Sequence, residues 1–196
     1  SLEPILTLFP QSEIIFVDNN SIDKTYDIAK TILSKYTNVK VLRYNVPIPP
    51  CGEEHKRVIK DNIELSLGEY YKWCYSFGSR YNVIKWDCDF ICNIQNLIEM
   101  IHKYNLDTFS GNISVWFSGL QLFMYNNELL LDNDSYFLYN EPRIHSKLNG
   151  FEYKNSPDLL WETPYTDYLI KNETNNNSYH FGFPTGYYIT RMLDQN

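Results

Sequence analysis

Residues 13–44 read EIIFVDNNSIDKTYDIAKTILSKYTNVKVLRY, and the alternation inside this stretch decides the fold class. It opens with EIIFV, a short apolar run rich in β-branched side chains that is closed by the polar cluster Asp18-Asn19-Asn20-Ser21. Such a run predicts a buried strand entering a loop. Ser21 is a good N-cap, Asp23 suits the positive end of a helix, and Ile28, Ala29, Ile32, Leu33 and Tyr36 recur at helical spacing up to Asn38. VKVLRY at 39–44 alternates as a second strand would. Strand, helix and strand in that order favour parallel pairing, because the helix returns the chain over the sheet.

Working outward, the Pro-rich stretch 46–52 (VPIPPCG) ends the second strand. From 53 to 77 the pattern is helical with an expected interruption near Gly68, and Val58, Ile59, Ile63, Leu67, Tyr71 and Cys74 form the expected inner face. VIKW at 83–86 is a third strand, ended by Asp87-Cys88-Asp89, and Asn93 caps a helix carrying Ile94, Leu97, Ile98 and Ile101. This alternation means α/β. Beyond 107 the character changes to strand-like runs at 112–117, 120–125 and 135–139 between loops, which extend or flank the sheet.

At 196 residues the chain fits one domain, and 43% hydrophobic with 21% charged residues is ordinary globular usage. A formal net charge of -7 argues against a nucleic-acid binder, which needs a concentrated basic surface. Lys56, Arg57 and Lys60 are the tightest basic group and read first as a solvated helix face, second as a phosphate clamp. No apolar run approaches the roughly 20 residues of a membrane span. Cys51, Cys74, Cys88 and Cys92 lack zinc-ligand spacing and a disulfide pattern, so they are expected as reduced, mostly buried thiols. A glycosylation sequon, Asn19-Asn20-Ser21, falls inside the candidate site, which favours a cytoplasmic location.

Acidic loops follow two of the predicted strands, Asp18 after EIIFV and Asp87-Cys88-Asp89 after VIKW. In open α/β sheets ligands bind in the crevice at the carboxyl ends of strands, so both loops are expected to face one pocket. Two carboxylates one residue apart can hold a hard cation, and Mg²⁺ or Mn²⁺ takes only one or two of them beside phosphate oxygens and water. Such an ion neutralises charge on a leaving diphosphate and lets an acidic protein hold an anionic ligand.

The segment EIIFVDNNSIDKT (13–25) resembles the second-strand motif of family 2 glycosyltransferases, and YNVIKWDCDFICNIQNL (81–97) resembles their metal-binding Asp-x-Asp strand and the helix after it. The run SLGEYYKWCYSFGSRYNVIKWDCDF (66–90) is similar to the approach to that motif in the branch acting on glycan cores. Pro142-Arg143-Ile144 through Trp161-Glu162, and His180-Phe181-Gly182, are looser counterparts of its "RIF…HE" and "HYG" segments. The resemblance implies a GT-A fold, with a Rossmann-like, mostly parallel sheet flanked by helices and a mixed second half. It places one domain over 1–196, with 1–106 as the nucleotide-sugar half and 107–196 as the acceptor half. The family's first strand has no counterpart before the helix read in 2–9, which points to a piece of a longer chain or to a lost edge of the nucleotide site.

The resemblance further implies that Asp18, Asn19 and Asp87 contact the nucleotide and that Asp87 and Asp89 flank a Mn²⁺ or Mg²⁺ ion. Asn19 stands where a second Asp is common, so the base is open between uridine, expected first, and deoxythymidine or guanosine. The implied partners are a nucleotide-sugar donor, first of all a UDP-sugar, and a glycan or other hydroxyl acceptor. Inverting transfer needs a general base; Glu162 is first, Asp167 second and Asp158 third. His180 is a metal or phosphate ligand, or a histidine satisfied within its loop. Lys72 and Arg57 are candidates for the diphosphate against a default of solvated helix charges, and Trp161, beside Glu162, is the aromatic residue singled out for sugar stacking. Two other readings remain: a non-catalytic sugar- or nucleotide-binding domain, and a sugar nucleotidyltransferase, for which a Gly-rich phosphate loop is expected and none is seen.

Overall fold

The computed structural model describes residues 6, 10–87, 90–92, 94–104, 114–125, 128–131, 139–147, 152–165 and 178–192. By their contacts the residues form two compact units, one of Phe9–Arg80 with Asn149–Lys171, the other of Ser1–Leu8, Tyr81–Leu148 and Asn172–Asn196.

The unit built on 9–80 begins with β1 (Ile14–Asn19), α1 (Thr25–Leu33) and β2 (Val39–Tyr44). β1 and β2 run parallel, from Ile14 opposite Val39 to Asn19 opposite Tyr44, with α1 as the connection. Ser21 does not cap the helix. Its N–H goes back to the Asp18 carboxylate at 3.2 Å, Asn20 turns the chain with φ 52°, and Asp23 Oδ1 instead accepts the Thr25 N–H at 2.9 Å. Asp and Asn compete in this way for nearby backbone donors, and Asn tolerates the left-handed conformation, so the loop absorbs residues that the pattern assigned to the helix. Only Leu33 of α1 is buried; Ile28 and Ile32 are 53% and 56% exposed, because a two-stranded sheet covers a narrow stripe of the helix.

α2 (Glu53–Ile59), a 3-10 turn (Ile63–Leu65) and α3 (Leu67–Ser76) follow. The break in the helical stretch falls before Ser66, whose Oγ accepts the Glu69 N–H and caps α3. Gly68 lies inside α3, where it lets the hairpin of β8 (Glu152–Asn155) and β9 (Glu162–Tyr165) come close. Its N–H bonds Asn155 Oδ1 at 3.1 Å, and a Cβ there would lie 3.0 Å from the Asn155 backbone nitrogen. Tyr153 is buried against the rings of Tyr71 and Tyr75. His55 is wholly buried and joins three segments: Nδ1 meets the Leu159 carbonyl at 2.7 Å, and Nε2 accepts the Leu67 N–H at 2.9 Å. Since Nε2 accepts, the proton sits on Nδ1 and is donated to Leu159.

In the other unit β3 (Asn82–Ile84), β4 (Phe90–Cys92), β5 (Ser114–Tyr125), β6 (Glu128–Leu131), β7 (Tyr139–Ser146) and β10 (Ser178–Met192) form one mixed sheet. Its order is β3-β7-β5-β10-β4, with β6 on β5; β5 and β10 are parallel, the other pairs antiparallel. α4 (Ile94–Tyr104) buries Leu97 and Ile101 four residues apart, as an amphipathic helix does, and β7 buries Ile144 and His145. Among the described residues β1 pairs with β2, whereas β3, which leads to Asp87, pairs with β7. No described helix is long and apolar enough to cross a membrane.

Candidate functional site at the carboxyl end of the parallel pair

Asp18 ends the apolar run of β1 and is 3% exposed. One carboxylate oxygen, Oδ2, is held from two sides, by the Ser21 N–H at 3.2 Å and by Arg43 Nε at 3.4 Å. Arg43 lies opposite Asp18 in the β1–β2 register, donates from Nη2 to the Ser21 carbonyl at 2.7 Å, and covers the Tyr26 ring at 5.3 Å. The arginine thereby ties the loop to β2 and balances the buried charge. The other oxygen, Oδ1, is buried with no hydrogen-bond partner among the described residues, and neither has Nδ2 of the adjacent Asn19. An acceptor and a donor therefore lie on successive residues at the carboxyl end of a parallel strand. Leaving such groups unmet costs about 1–3 kcal/mol each, which makes the pair a candidate for a polar contact when the loop opens.

Asp87 follows β3 and is half-buried, with Oδ2 3.8 Å from Nζ of Lys85, which is itself buried. Lys85 stands inside VIKW, where alternation marks it as one more strand residue and gives no sign that it is buried. A buried ammonium requires a partner, and the nearest acidic loop supplies it. Asp89 lies outside the described residues, and for His180 the structure gives its place on β10, opposite Trp116 of β5. Among the described residues no three His, Cys, Asp or Glu side chains gather as a metal site. A cation carried chiefly by a diphosphate asks less of the protein, one or two carboxylates, and Asp87 fits that smaller demand as one ligand.

Glu162 opens β9 opposite Asn155 and is half-buried; Trp161 before it is 50% exposed. Asp167 lies outside the described residues. Asp158 has a structural occupation: Oδ1 accepts from Ser156 Oγ at 2.6 Å and from the Leu160 N–H at 3.3 Å, while Ser156 Oγ accepts the Trp161 N–H. The Ser156 hydrogen bond foremost holds the Asp158 carboxyl below the usual range, as befits a turn residue that stays ionised. Arg57 and Lys72 pair with Glu54 at 3.9 Å and Glu69 at 3.7 Å along exposed helix faces, which is the solvated arrangement. Asp18, Asn19 and Glu162 thus belong to the unit built on 9–80, and Asp87 and His180 to the other.

Cys51 is exposed, contrary to the expectation of buried thiols, because it sits in the Pro-rich turn before α2; Cys74 is partly buried, and burial pushes its thiol up to about 11. No protein-family model and no curated protein sequence matches the chain.

Proposed function

We propose that the chain is a metal-dependent glycosyltransferase of GT-A type that moves a sugar from a nucleotide-diphosphate donor, a UDP-sugar first of all, to a hydroxyl acceptor on a glycan, with inversion. The observation that carries this reading is the buried pair of unmet polar atoms, Asp18 Oδ1 and Asn19 Nδ2, at the carboxyl end of a parallel strand. An adjacent acceptor and donor suit the edge of a pyrimidine base, which offers N–H and C=O side by side. The acidic Asp87 loop after β3 and the resemblance of 13–25 and 66–97 to family 2 glycosyltransferases support it further.

In this reading Asp18 and Asn19 hold the nucleoside. Asp87, with Asp89 and His180, would hold a divalent cation, whose chemistry when bound is to offset charge on the departing diphosphate. Glu162, with Asp167 as its alternative, takes the proton of the acceptor hydroxyl as that oxygen bonds to the anomeric carbon and the bond to the diphosphate breaks. Lys85, 3.8 Å from Asp87 Oδ2, positions the Asp87 carboxylate.

Donor turnover tests this directly. The chain is incubated with UDP-glucose, UDP-galactose, UDP-N-acetylglucosamine and their GDP and dTDP counterparts, with Mn²⁺ or with chelator, and released nucleotide is measured. The expected outcome is Mn²⁺-dependent release from one donor, reduced about 100-fold or more in Glu162→Gln. No release from any donor by the folded chain would leave the non-catalytic binding reading in its place.

A further inference from the structure

Beside Tyr44, the residue opposite Asn19 at the end of β2, a groove of about 480 Å³ opens between β2, the 3-10 turn and α3. Its floor is aromatic: the rings of Tyr44 and Trp73 lie 4.8 Å apart at 55°, with Tyr70 against Tyr44 and Phe77 against Trp73. Ile63, 55% exposed, adds an apolar wall, and Glu64, Glu69 and Lys72 stand at the rim. The groove is open to solvent, so a ligand there would rest on its surface and keep one side in water.

We propose that this groove is a binding site for a neutral saccharide, stacked on Tyr44 and Trp73 and hydrogen-bonded by the acidic rim. Three features select that class. The tilted rings form a corrugated surface without a parallel slot for a flat base, and it suits a puckered ring with C–H groups on its faces. Carboxylates accept hydrogen bonds from vicinal hydroxyls, and Lys72, 3.7 Å from Glu69, supplies a donor on the same rim. Two acids against one base make the rim net negative, which disfavours phosphorylated or acidic ligands. Burial, followed by the nearby Cys74 and Glu69, raises the Tyr44 hydroxyl above its ordinary 10.0, so it remains a neutral donor. As a binding site the groove stands whether or not the chain transfers sugar; as the seat of a transferase's acceptor it rests on that reading.

The test follows the indole N–H signal of Trp73 by NMR, assigned with Trp73→Phe, while the whole chain is titrated with methyl glucoside, methyl galactoside, methyl mannoside, N-acetylglucosamine, cellobiose, lactose and chitobiose. Tetramethylammonium and inorganic phosphate serve as the competing chemistries. The expected result is a saturable shift with at least one saccharide, weakened about tenfold in Trp73→Ala by loss of the stacking face. Since Trp73 packs on Phe77 and its removal can unfold the chain, the paired variant Glu64→Ala with Glu69→Ala, both exposed, is measured as well and is expected to weaken the same saccharide. A Trp73 signal unmoved by every saccharide, moved only by tetramethylammonium or phosphate, or unaffected by the acid variant would overturn the proposal. UDP titration of the same sample separates the two readings: saccharide binding without UDP binding sinks the transferase and leaves the groove, and the reverse sinks the groove alone.

Discussion

Glu13 shows how one side chain can couple stability to pH. It receives hydrogen bonds from Lys40 and from both the backbone and side chain of Ser79, and these, Lys40 foremost, lower its carboxyl from 4.5 to about 2. Because the folded-state value is depressed, the unfolded chain binds the proton first as pH falls. The stabilisation is full above about pH 4.5 and is lost on the way down to about 2. Lys40 is half-exposed, so solvent screening limits the effect to about 1 kcal/mol. Glu13→Gln should lower stability at pH 7 by that amount and change it little at pH 2, as urea midpoints at the two values would show; equal losses at both would remove the electrostatic explanation. At the same scale, Cys51 and Cys74 should separate in thiol labelling. Exposed Cys51 should react quickly at pH 7.5, while Cys74, with its thiol near 11, should wait on opening of the fold. Mass spectrometry of partly labelled protein reads both, and comparable rates would contradict the burial of Cys74.

Among the elements, α3 and the β8–β9 hairpin depend on two small devices. Gly68→Ala should destabilise by about 1–3 kcal/mol, since the new methyl must displace the Asn155 backbone. His55→Ala should cost about 3 kcal/mol by opening a void and depriving Leu67 and Leu159 of their partners. Denaturant unfolding measures both, and a loss below about 0.5 kcal/mol for either would show that the packing relaxes around it. These residues also mark what the sequence conveys. β1 and β2 are legible because apolar, β-branched runs end in polar clusters, and the helical period of 25–33 and 94–104 is equally plain. Gly68 was read as an interruption, yet it sits within α3, because its function is close approach to another segment and not the end of a helix. β7, YNEPRIHS, and β10 carry polar residues and prolines, so their strand character comes from pairing with β5 and not from local pattern. The place of Asp18 and Asn19 at the end of β1 is legible from the apolar run before them; the Arg43 clamp is not, since strand register is invisible in a chain read residue by residue.

For the whole molecule, a net charge of -7 bears on how an anionic ligand is held. Arg43 is engaged with Asp18 and Ser21, and Lys72 and Arg57 with acids on their own helices, so in the proposed reading a divalent cation is assigned to offset the diphosphate. The most direct measurement is calorimetric titration of the whole chain with UDP, with Mn²⁺ and with chelator, repeated on Asp18→Asn and Asp87→Ala. The account predicts binding that needs Mn²⁺ and weakens about tenfold or more in both variants, each titrated at a temperature where it is folded, because the substitutions deprive Arg43 and the buried Lys85 of a charged partner and lower the unfolding midpoint. UDP binding indifferent to Mn²⁺ and to both substitutions, or no binding by the folded chain to UDP, GDP or dTDP, would contradict it.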